Sequence, residues 1–342
     1  MGVRTLVWPA ALVAAALVLV ACTGGSAGPA QVMEPGDQRA TAGAEAPADA
    51  GSPSVPMHSV TATMAPPPVF DPAAAFDTVE YLAGEIGPRE ATSAAFHQAA
   101  EWVEQRFADL GYVVTKEDVP VPAGDPSYRP EWGTVVEPGT SANVIADPAD
   151  FDPTEPHVII GAHLDTVAVS PGAEDNASGV AAVLELARLA AEHSPELPVR
   201  FIAFGAEEPR GPGDDMHHFG SQQYVRELPD ASAVVAMVSL DRVGVRSADV
   251  PVCTGGTGTT TVMDALLAAA DNAGIGAQRC ESRASDHWSF EKADIPAARL
   301  GSVPYAGYHS PNDVPDVIDP DQLDRVGTIV WTWLLDLSPR SR

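Results

Sequence analysis

The chain has 342 residues, a formal net charge of −28 and 45% hydrophobic residues. This length and apolar content suit one or two globular domains with a sizeable core. An acidic surface repels phosphate backbones, so the charge argues against nucleic acid as a partner. The cations that such a surface attracts are metal ions and the ammonium groups of substrates.

The first 21 residues are typical of an export signal. Arg4 and the free amine form a short positive region, and residues 10–20 form an apolar stretch too short to span a bilayer stably. The stretch ends in Leu-Val-Ala-Cys, which resembles the lipobox of bacterial lipoproteins, where cleavage leaves Cys22 as a lipid-modified N-terminus. We therefore predict export and a lipid anchor on the outer face of the cell membrane. The alternative is a plain signal peptide with an incidental cysteine.

Residues 22–68 are rich in Ala, Pro, Gly, Ser and Thr and have no apolar periodicity to bury. This composition predicts a disordered tether, which would let an anchored domain stand away from the lipid surface. Residues 69–342 are then expected to form one catalytic domain, which we expect to be a monomer.

Two helices and two strands are predicted at the start of this domain. Apolar residues recur at helical spacing over residues 71–86 and 92–110, with Asp71 and Thr92 as candidate N-caps. The β-branched residues that follow predict strands at 112–121 and 141–146, joined by a loop that contains several Gly and Pro residues.

Four short apolar runs then predict buried strands, at residues 157–162, 199–204, 233–240 and 297–300. A His, Asp or Glu follows each run: His163, the pair Glu207 and Glu208, Asp241, and His309 in the loop after the last run. Helical patterns occupy residues 175–191 and 321–337. In open α/β sheets the ligand site lies at the carboxyl ends of the strands, so the sequence predicts an α/β domain with these residues gathered at one edge.

These side chains offer a ligand set for two zinc ions. Two such ions about 3.5–4 Å apart require a carboxylate bridge and further anionic ligands. In one coherent assignment, His163 and Asp241 hold the first ion, Glu208 and His309 hold the second, and Asp175 bridges the two. Each ion would then keep an open position for water, as catalytic zinc sites do, and a hydroxide shared by both would be the nucleophile.

Glu207 is the candidate general base. Adjacent residues past a strand end point in different directions, so Glu208 can bind metal while Glu207 faces the water. Asp165 follows His163 by two residues, and we expect its carboxylate to accept the second ring N–H of that histidine and fix the tautomer.

Two cysteines remain if Cys22 carries lipid. Cys253 and Cys280 form an even pair in an oxidising compartment, near the ends of strand-like runs at 250–253 and 274–280. A disulfide is expected, and two buried thiols are the alternative. The absence of Cys-x-x-Cys spacing argues against a zinc-binding role for them.

Six strings in the sequence carry a family resemblance: GAHLDTV, GAEDNASGV, FGAEEP, SLDRVG, SDHWSF and YHSPND. In order and spacing the chain resembles the bacterial dizinc aminopeptidases of the leucyl aminopeptidase and aminopeptidase Y family. The resemblance implies His163, Asp175, Glu208, Asp241 and His309 as zinc ligands and Glu207 as base. It also implies a three-layer fold, with a mixed, mostly parallel eight-stranded sheet between helices.

Further expectations follow from the resemblance. Tyr308 matches a tyrosine that helps to stabilise the tetrahedral oxyanion, and Ser285 matches a residue hydrogen-bonded to the last zinc histidine, here His309. The peptide bond between Asp175 and Asn176 is expected to be cis.

The chain departs from the family pattern after the Glu-Glu pair, where residues 211–218 are inserted. We expect His217 and His218 in this insertion to be loop or pocket-rim residues, because five ligands already complete the metal site.

The predicted function is hydrolysis of N-terminal amino acids from peptides. One alternative is another enzyme on the same scaffold, such as a carboxypeptidase, a dipeptidase or a single-zinc glutaminyl cyclase. The other is a non-catalytic surface lipoprotein that binds peptide or metal. The presence of His163 and Asp241 together argues against the cyclase, and Glu207 argues against simple binding.

Overall fold

An eight-stranded sheet forms the middle of the structure, a computed structural model that describes residues 66–301 and 304–338. The strand order is β1-β2-β4-β3-β5-β8-β6-β7. The strands are β1 Val113–Val121, β2 Gly139–Asp147, β3 His157–His163, β4 Val199–Phe204, β5 Val234–Asp241, β6 Val250–Thr254, β7 Ala277–Glu281 and β8 Ala297–Gly301. The strands predicted from the sequence are present, with ends shifted by a few residues.

The central strands β4, β3, β5 and β8 run parallel, and β6 is parallel to β7. The pairs β1–β2, β2–β4 and β6–β8 are antiparallel. The sheet is therefore mixed and mostly parallel, as predicted. Parallel strands are normally covered on both faces, and β3 is buried along its whole length.

Seven α-helices occur in the described residues: α1 Pro72–Val79, α2 Ala94–Asp109, α3 Ser178–Glu192, α4 Phe219–Glu227, α5 Thr261–Asn272, α6 His287–Glu291 and α7 Pro320–Asp336. Helices α1, α2, α3, α5 and α7 share one apolar core with one face of the sheet. Residues of α4 and α6 share a second core with the opposite face. Alternate residues of β3 divide between the two cores, Ile160 in the first and Ile159 in the second, because side chains alternate across a strand. The result is the predicted three-layer α/β fold.

The first two helices differ in detail from the prediction. Asp71 caps α1 by accepting from the backbone N–H of the next turn, but the predicted helix continues beyond Val79 as a π-helix, Glu80–Ile86. Thr92 is not the cap of α2: its hydroxyl donates to Glu90, 2.8 Å away, and Ser93 accepts from the backbone of α2 instead.

A buried arginine fixes the chain between the first two predicted zinc ligands. Arg89 is fully buried and donates to five backbone carbonyls, including those of Leu164, Pro171 and Gly172. These carbonyls bracket the segment that links His163 to Asp175. Buried carbonyls must be paired, so this one side chain stabilises a loop that would otherwise be costly to bury.

The structure bonds Cys253 on β6 to Cys280 on β7, in direct register between the two parallel strands. The bond joins strands at one margin of the sheet, where β7 is the last strand.

In residues 66–301 and 304–338, no helix combines the length and apolarity needed to cross a membrane. The predicted signal peptide, the proposed lipidation at Cys22 and most of the predicted tether lie outside the described residues. The last of the residues assigned to the tether, Pro68, contacts the domain: its carbonyl accepts from the indole N–H of Trp331, 2.9 Å away.

Candidate metal and catalytic site

The predicted ligands gather at the carboxyl ends of the parallel strands. His163 is the last residue of β3 and Asp241 the last of β5, while Glu208 lies in the loop after β4. Asp175 precedes α3, and His309 lies in the loop after β8. All five side chains are buried, so their charges face each other and not the solvent.

Asp175 lies between two histidines. Its Oδ1 is 3.1 Å from Nε2 of His163, and its Oδ2 is 3.2 Å from Nε2 of His309. His163 Nε2 is also 3.9 Å from Asp241 Oδ2, and His309 Nε2 is 3.2 Å from Glu208 Oε2. The side chains therefore form two neighbouring sets that share Asp175, which is the grouping assigned from the sequence.

The donor set fits divalent cations. In each of the two sets, three ligand atoms lie within 4.8 Å of one another, and imidazole nitrogen with carboxylate oxygen is the chemistry that zinc prefers. Oε1 of Glu208 and Nδ1 of His309 are buried without a hydrogen-bond partner. Burial raises the pKa of Glu208, because a buried carboxylate loses the hydration of its charge at a cost in free energy. A bound cation would remove that cost.

The backbone holds Asp175 in a non-helical conformation. The predicted helix 175–191 begins only at Ser178, since Asp175 and Asn176 have non-helical dihedrals and the peptide bond between them is cis. The carboxylate of Asp313 accepts from the backbone N–H of Glu174 and of Asp175. The carboxylate of Asp175 is thus anchored through its own main chain.

The structure corrects the role expected for Asp165. Nδ1 of His163 contacts the backbone carbonyl of Asp165 at 3.1 Å, whereas the carboxylate is 3.8 Å from that nitrogen. The two carboxylate oxygens instead accept from the backbone N–H of Glu207 and of Glu208, at 3.0 and 3.1 Å. Asp165 therefore fixes the turn that carries both glutamates, and the histidine ring is oriented by main chain.

A buried arginine that the sequence analysis missed contacts Asp241. Arg299 on β8 is fully buried, and its Nη2 lies 2.8 Å from Oδ1 of Asp241. Its Nη1 donates to the carbonyl of Ala284. The sequence did contain a signal for this contact, which is the single arginine inside the apolar run at 297–300. A charged side chain in a buried strand requires a partner of opposite charge.

Ser285 also differs from the expectation. Its hydroxyl is 2.8 Å from the hydroxyl of Ser239 on β5, and no hydrogen bond links it to His309 in the described residues. The segment 282–286 packs beside β5 and β8, so Ser285 supports the strand that ends at Asp241 and leaves Nδ1 of His309 unpaired.

Tyr308 stacks on the next residue, with 3.8 Å between its ring centroid and that of His309. Its side of the pocket also holds Arg242, whose guanidinium carbon is 4.7 Å from the Tyr308 ring centroid. Tyr308 is 42% exposed, and partial desolvation together with the nearby carboxylates of Asp175 and Glu208 raises its pKa above the ordinary value of 10, so the phenol keeps its proton and remains a hydrogen-bond donor.

His218 lies in a loop and lines the pocket, as expected, and its side chain also contacts the proposed base. It is fully buried, and its Nε2 lies 3.0 Å from Oε1 of Glu207 and 3.1 Å from Nδ1 of His217. Burial lowers the pKa of His218 to about 3, so its ring is neutral. His217 is half-buried and lines the same pocket.

Four of the five predicted ligands, Asp175, Glu208, Asp241 and His309, line a pocket of about 180 Å³. Besides the ligands, it is lined by Tyr128, Trp132, His217, Arg242 and Tyr308, among others. Trp132 belongs to the β1–β2 loop, and its ring meets that of His309 edge to face at 4.3 Å. The sequence marked this segment only as a Gly- and Pro-containing loop, so its place over the site was not predicted.

Curated relatives cover parts of the chain. The uncharacterized protein YfbL of Escherichia coli K12 is 34% identical over 178 residues, which are 49% of this chain and 48% of that protein. Aminopeptidase YwaD of Bacillus subtilis 168 is 30% identical over 204 residues, covering 56% and 43%. The probable lipoprotein aminopeptidase LpqL of Mycobacterium tuberculosis is 42% identical over 92 residues, covering 26% and 14%. The matched region thus spans about half of these relatives, or less.

Solved structures show the same fold. A leucine aminopeptidase precursor from Bacteroides thetaiotaomicron matches with a TM-score of 0.70 at 21% identity, covering 80% of this chain and all of that one. A glutaminyl cyclase from the same organism matches with a TM-score of 0.68 at 22% identity, covering 79% and 99%. One scaffold therefore carries both activities, and function has to be argued from the site.

Residues 143–334 match the sequence profile of peptidase family M28. This match includes all five residues of the two ligand sets and extends over more than half of the chain. The chain belongs to peptidase family M28.

Proposed function

We propose that this protein is a dizinc aminopeptidase that releases N-terminal amino acids from peptides. The observation that carries the proposal is the position of Asp175, which offers one oxygen to His163 and the other to His309. A single-metal site has no need of a carboxylate shared between two histidines. The grouping supports His163, Asp175 and Asp241 as one ligand set, and Asp175, Glu208 and His309 as the other.

When bound, the zinc ions supply the Lewis acidity that polarises the scissile carbonyl and activates a water molecule. Glu207 accepts the proton of that water and delivers it to the leaving amine nitrogen. In the protein without metal, burial raises the pKa of Glu207 to about 7. The phenol O–H of Tyr308 donates to the developing oxyanion.

The pocket supports cleavage at a chain end. Its volume of about 180 Å³ is below the roughly 300–1,000 Å³ of ordinary small-molecule pockets. The aromatic residues Trp132 and Tyr308 border it beside the metal ligands. This favours a single terminal residue over the middle of an extended peptide, and the surrounding carboxylates suit a free α-ammonium group.

Two neighbouring variants test the roles of the glutamates. Glu207→Gln should keep both zinc ions and lower kcat by about 10²–10⁴-fold, because only proton transfer is lost. Glu208→Gln should lose zinc from the second set, because it weakens a ligand. Zinc content and kcat of the two purified variants are compared; a Glu207 variant that loses metal beside a Glu208 variant that keeps it would reverse the assignment.

Glutaminyl cyclisation is the second candidate, because a glutaminyl cyclase shares the fold. The presence of His163 and Asp241 beside Asp175 favours the two-metal site and hence hydrolysis. A peptide with N-terminal glutamine separates the two reactions: hydrolysis releases free glutamine, whereas cyclisation releases ammonia and leaves the peptide at full length.

We further propose that the protein is exported and lipid-anchored through Cys22, at the outer face of the cell membrane. The Leu-Val-Ala-Cys sequence after a short apolar stretch supports this, as does the similarity to LpqL, whose name describes a lipoprotein aminopeptidase. Detergent partitioning tests this proposal. The Cys22→Ala variant should move from the detergent phase to the aqueous phase, and unchanged partitioning would contradict a lipid anchor at Cys22.

A further inference from the structure

His218 touches the carboxylate that the proposed mechanism uses as base. Its Nε2 lies 3.0 Å from Oε1 of Glu207, and both side chains are buried. The residue comes from the insertion at 211–218, which the five-ligand site does not require. A buried histidine placed against a reacting carboxylate needs a functional or structural reason.

The backbone holds His218 beside Glu207 by a short ladder of main-chain hydrogen bonds. The N–H of His218 donates to the carbonyl of Glu207 at 2.9 Å, and the next two residues repeat the pattern with Ala206 and Gly205. Asn143 ties the same two segments together, accepting from the N–H of Gly205 and donating to the carbonyl of Gly220. The distance between the imidazole and the carboxylate is therefore set by main chain.

The surroundings of the ring fix which nitrogen carries the proton. Nδ1 of His218 is buried and has no hydrogen-bond partner. A proton there would be an unmatched buried donor, and the lone pair of Nε2 would face the carboxylate oxygen of Glu207. These contacts favour a ring protonated at Nε2, which donates to Oε1 of Glu207 and has Nδ1 of His217, 3.1 Å away, as a second acceptor.

This contact helps to decide whether Glu207 acts as a base or as a metal ligand. Ligand atoms of His163, Glu207 and Glu208 also lie within 4.8 Å of one another, so Glu207 could itself bind a metal ion. A hydrogen bond from His218 to Oε1 restricts how the carboxylate of Glu207 can rotate and hence which of its oxygens can approach a metal ion or a water molecule.

We propose that His218 is a positioning residue that holds Oε1 of Glu207 and leaves Oε2 for proton transfer, so that Glu207 serves as base and not as a further carboxylate ligand. The proposal rests on the proposed function for the identity of the reaction. Its chemistry is one N–H···O hydrogen bond, and no proton leaves His218 in the step.

Two amide variants separate the effect of the hydrogen bond from the effect of the backbone conformation at residue 218. The amide nitrogen of Gln stands three bonds from Cβ, as Nε2 of His does, whereas that of Asn stands two bonds away, as Nδ1 does. His218 has φ of 57°, and Asn adopts this left-handed conformation more readily than Gln. The backbone alone therefore favours His218→Asn, while the hydrogen bond favours His218→Gln.

We expect His218→Gln to keep kcat within about threefold of the wild type and His218→Asn to lower it by about 10–10²-fold, the cost typical of a misplaced catalytic group. KM should change little in either variant. In the Glu207→Gln background, His218→Asn should cause no further loss, because the two residues act as one unit. An Asn variant as active as the Gln variant, or a full additional loss in the double variant, would overturn the proposal.

A spectroscopic readout is independent of turnover. In ¹⁵N-histidine spectra of the zinc-loaded protein, the ring signals that disappear in His218→Gln should be those of an Nε2-protonated neutral ring, and Glu207→Gln should shift them. A ring protonated at Nδ1 would overturn the proposal, even if the Asn variant failed to fold. If the wild type releases no terminal residue, the proposed function fails, while these spectra still decide whether the contact exists.

Discussion

Replacing Asp165 by Asn tests what holds the two glutamates in place. The carboxylate accepts from the backbone N–H of Glu207 at 3.0 Å and of Glu208 at 3.1 Å, and Asp165 is fully buried. Asn retains one acceptor oxygen but places its NH₂ group against the other N–H. One hydrogen bond to a charged group is lost, which is worth about 1.5–3 kcal/mol, and a buried donor is left unmatched.

The metal-free protein should therefore lose about 2–4 kcal/mol of unfolding free energy in Asp165→Asn, measured by denaturant titration in the presence of chelator. Chelation removes any contribution from weaker zinc binding. Asp230→Asn is the matched control, because Asp230 caps a turn at the surface and Asn caps such turns about equally well. That variant should stay within about 0.5 kcal/mol of the wild type.

The opposite pattern would refute this reasoning. If Asp165→Asn unfolded like the wild type without metal and only weakened zinc binding, its carboxylate would act through the ring of His163. That is the role suggested by the sequence, and it is the role that the 3.8 Å separation from the ring nitrogen argues against.

Three further variants probe other parts of the structure. Tyr308→Phe keeps the ring that stacks on His309 but loses the O–H, so kcat should fall by about 10²-fold with zinc content unchanged. An unchanged kcat would show that Tyr308 does not donate to the oxyanion. Cys253→Ser with Cys280→Ser opens a link spanning 27 residues, and denaturant unfolding should show a loss of about 3–4 kcal/mol; equal stability would contradict a constraining disulfide. Burial lowers the pKa of His157, so the unfolded chain takes up more protons there and stability falls as the pH drops through about 6.5. His157→Asn should weaken this acid sensitivity in metal-free protein, and equal pH dependence in both proteins would show that another group is responsible.

The fold and the ligand set were predictable because their signals are local. Each apolar run is a strand buried on both faces, and parallel strands bring their carboxyl ends to one edge. A ligand that follows such a run, as His163 and Asp241 do, is placed by the sheet itself. Asp175 was assigned as the bridging carboxylate from the charge that two metal ions require, but its position depends on a non-helical turn that helical periodicity did not predict.

The supporting contacts were not predictable, because they join segments that are distant in sequence. Arg299 lies 58 residues after Asp241 in the sequence, and Trp132 reaches His309 from the opposite half of the chain. His218 meets Glu207 only because an inserted loop folds back onto the main chain of the strand end. Asp165 differs for a finer reason: whether its carbonyl or its carboxylate reaches His163 depends on the turn between them, which no residue pattern specifies.

The most direct test of the account is a zinc titration of the metal-free protein, with arylamide release measured from a free and an N-acetylated aminoacyl-arylamide. A shared Asp175 between two ligand sets predicts that activity rises until two zinc ions are bound per chain. The proposed aminopeptidase activity predicts that only the substrate with a free amine is cleaved. Activity that saturates at one zinc ion, or equal cleavage of the N-acetylated substrate, would contradict the proposal of a dizinc aminopeptidase.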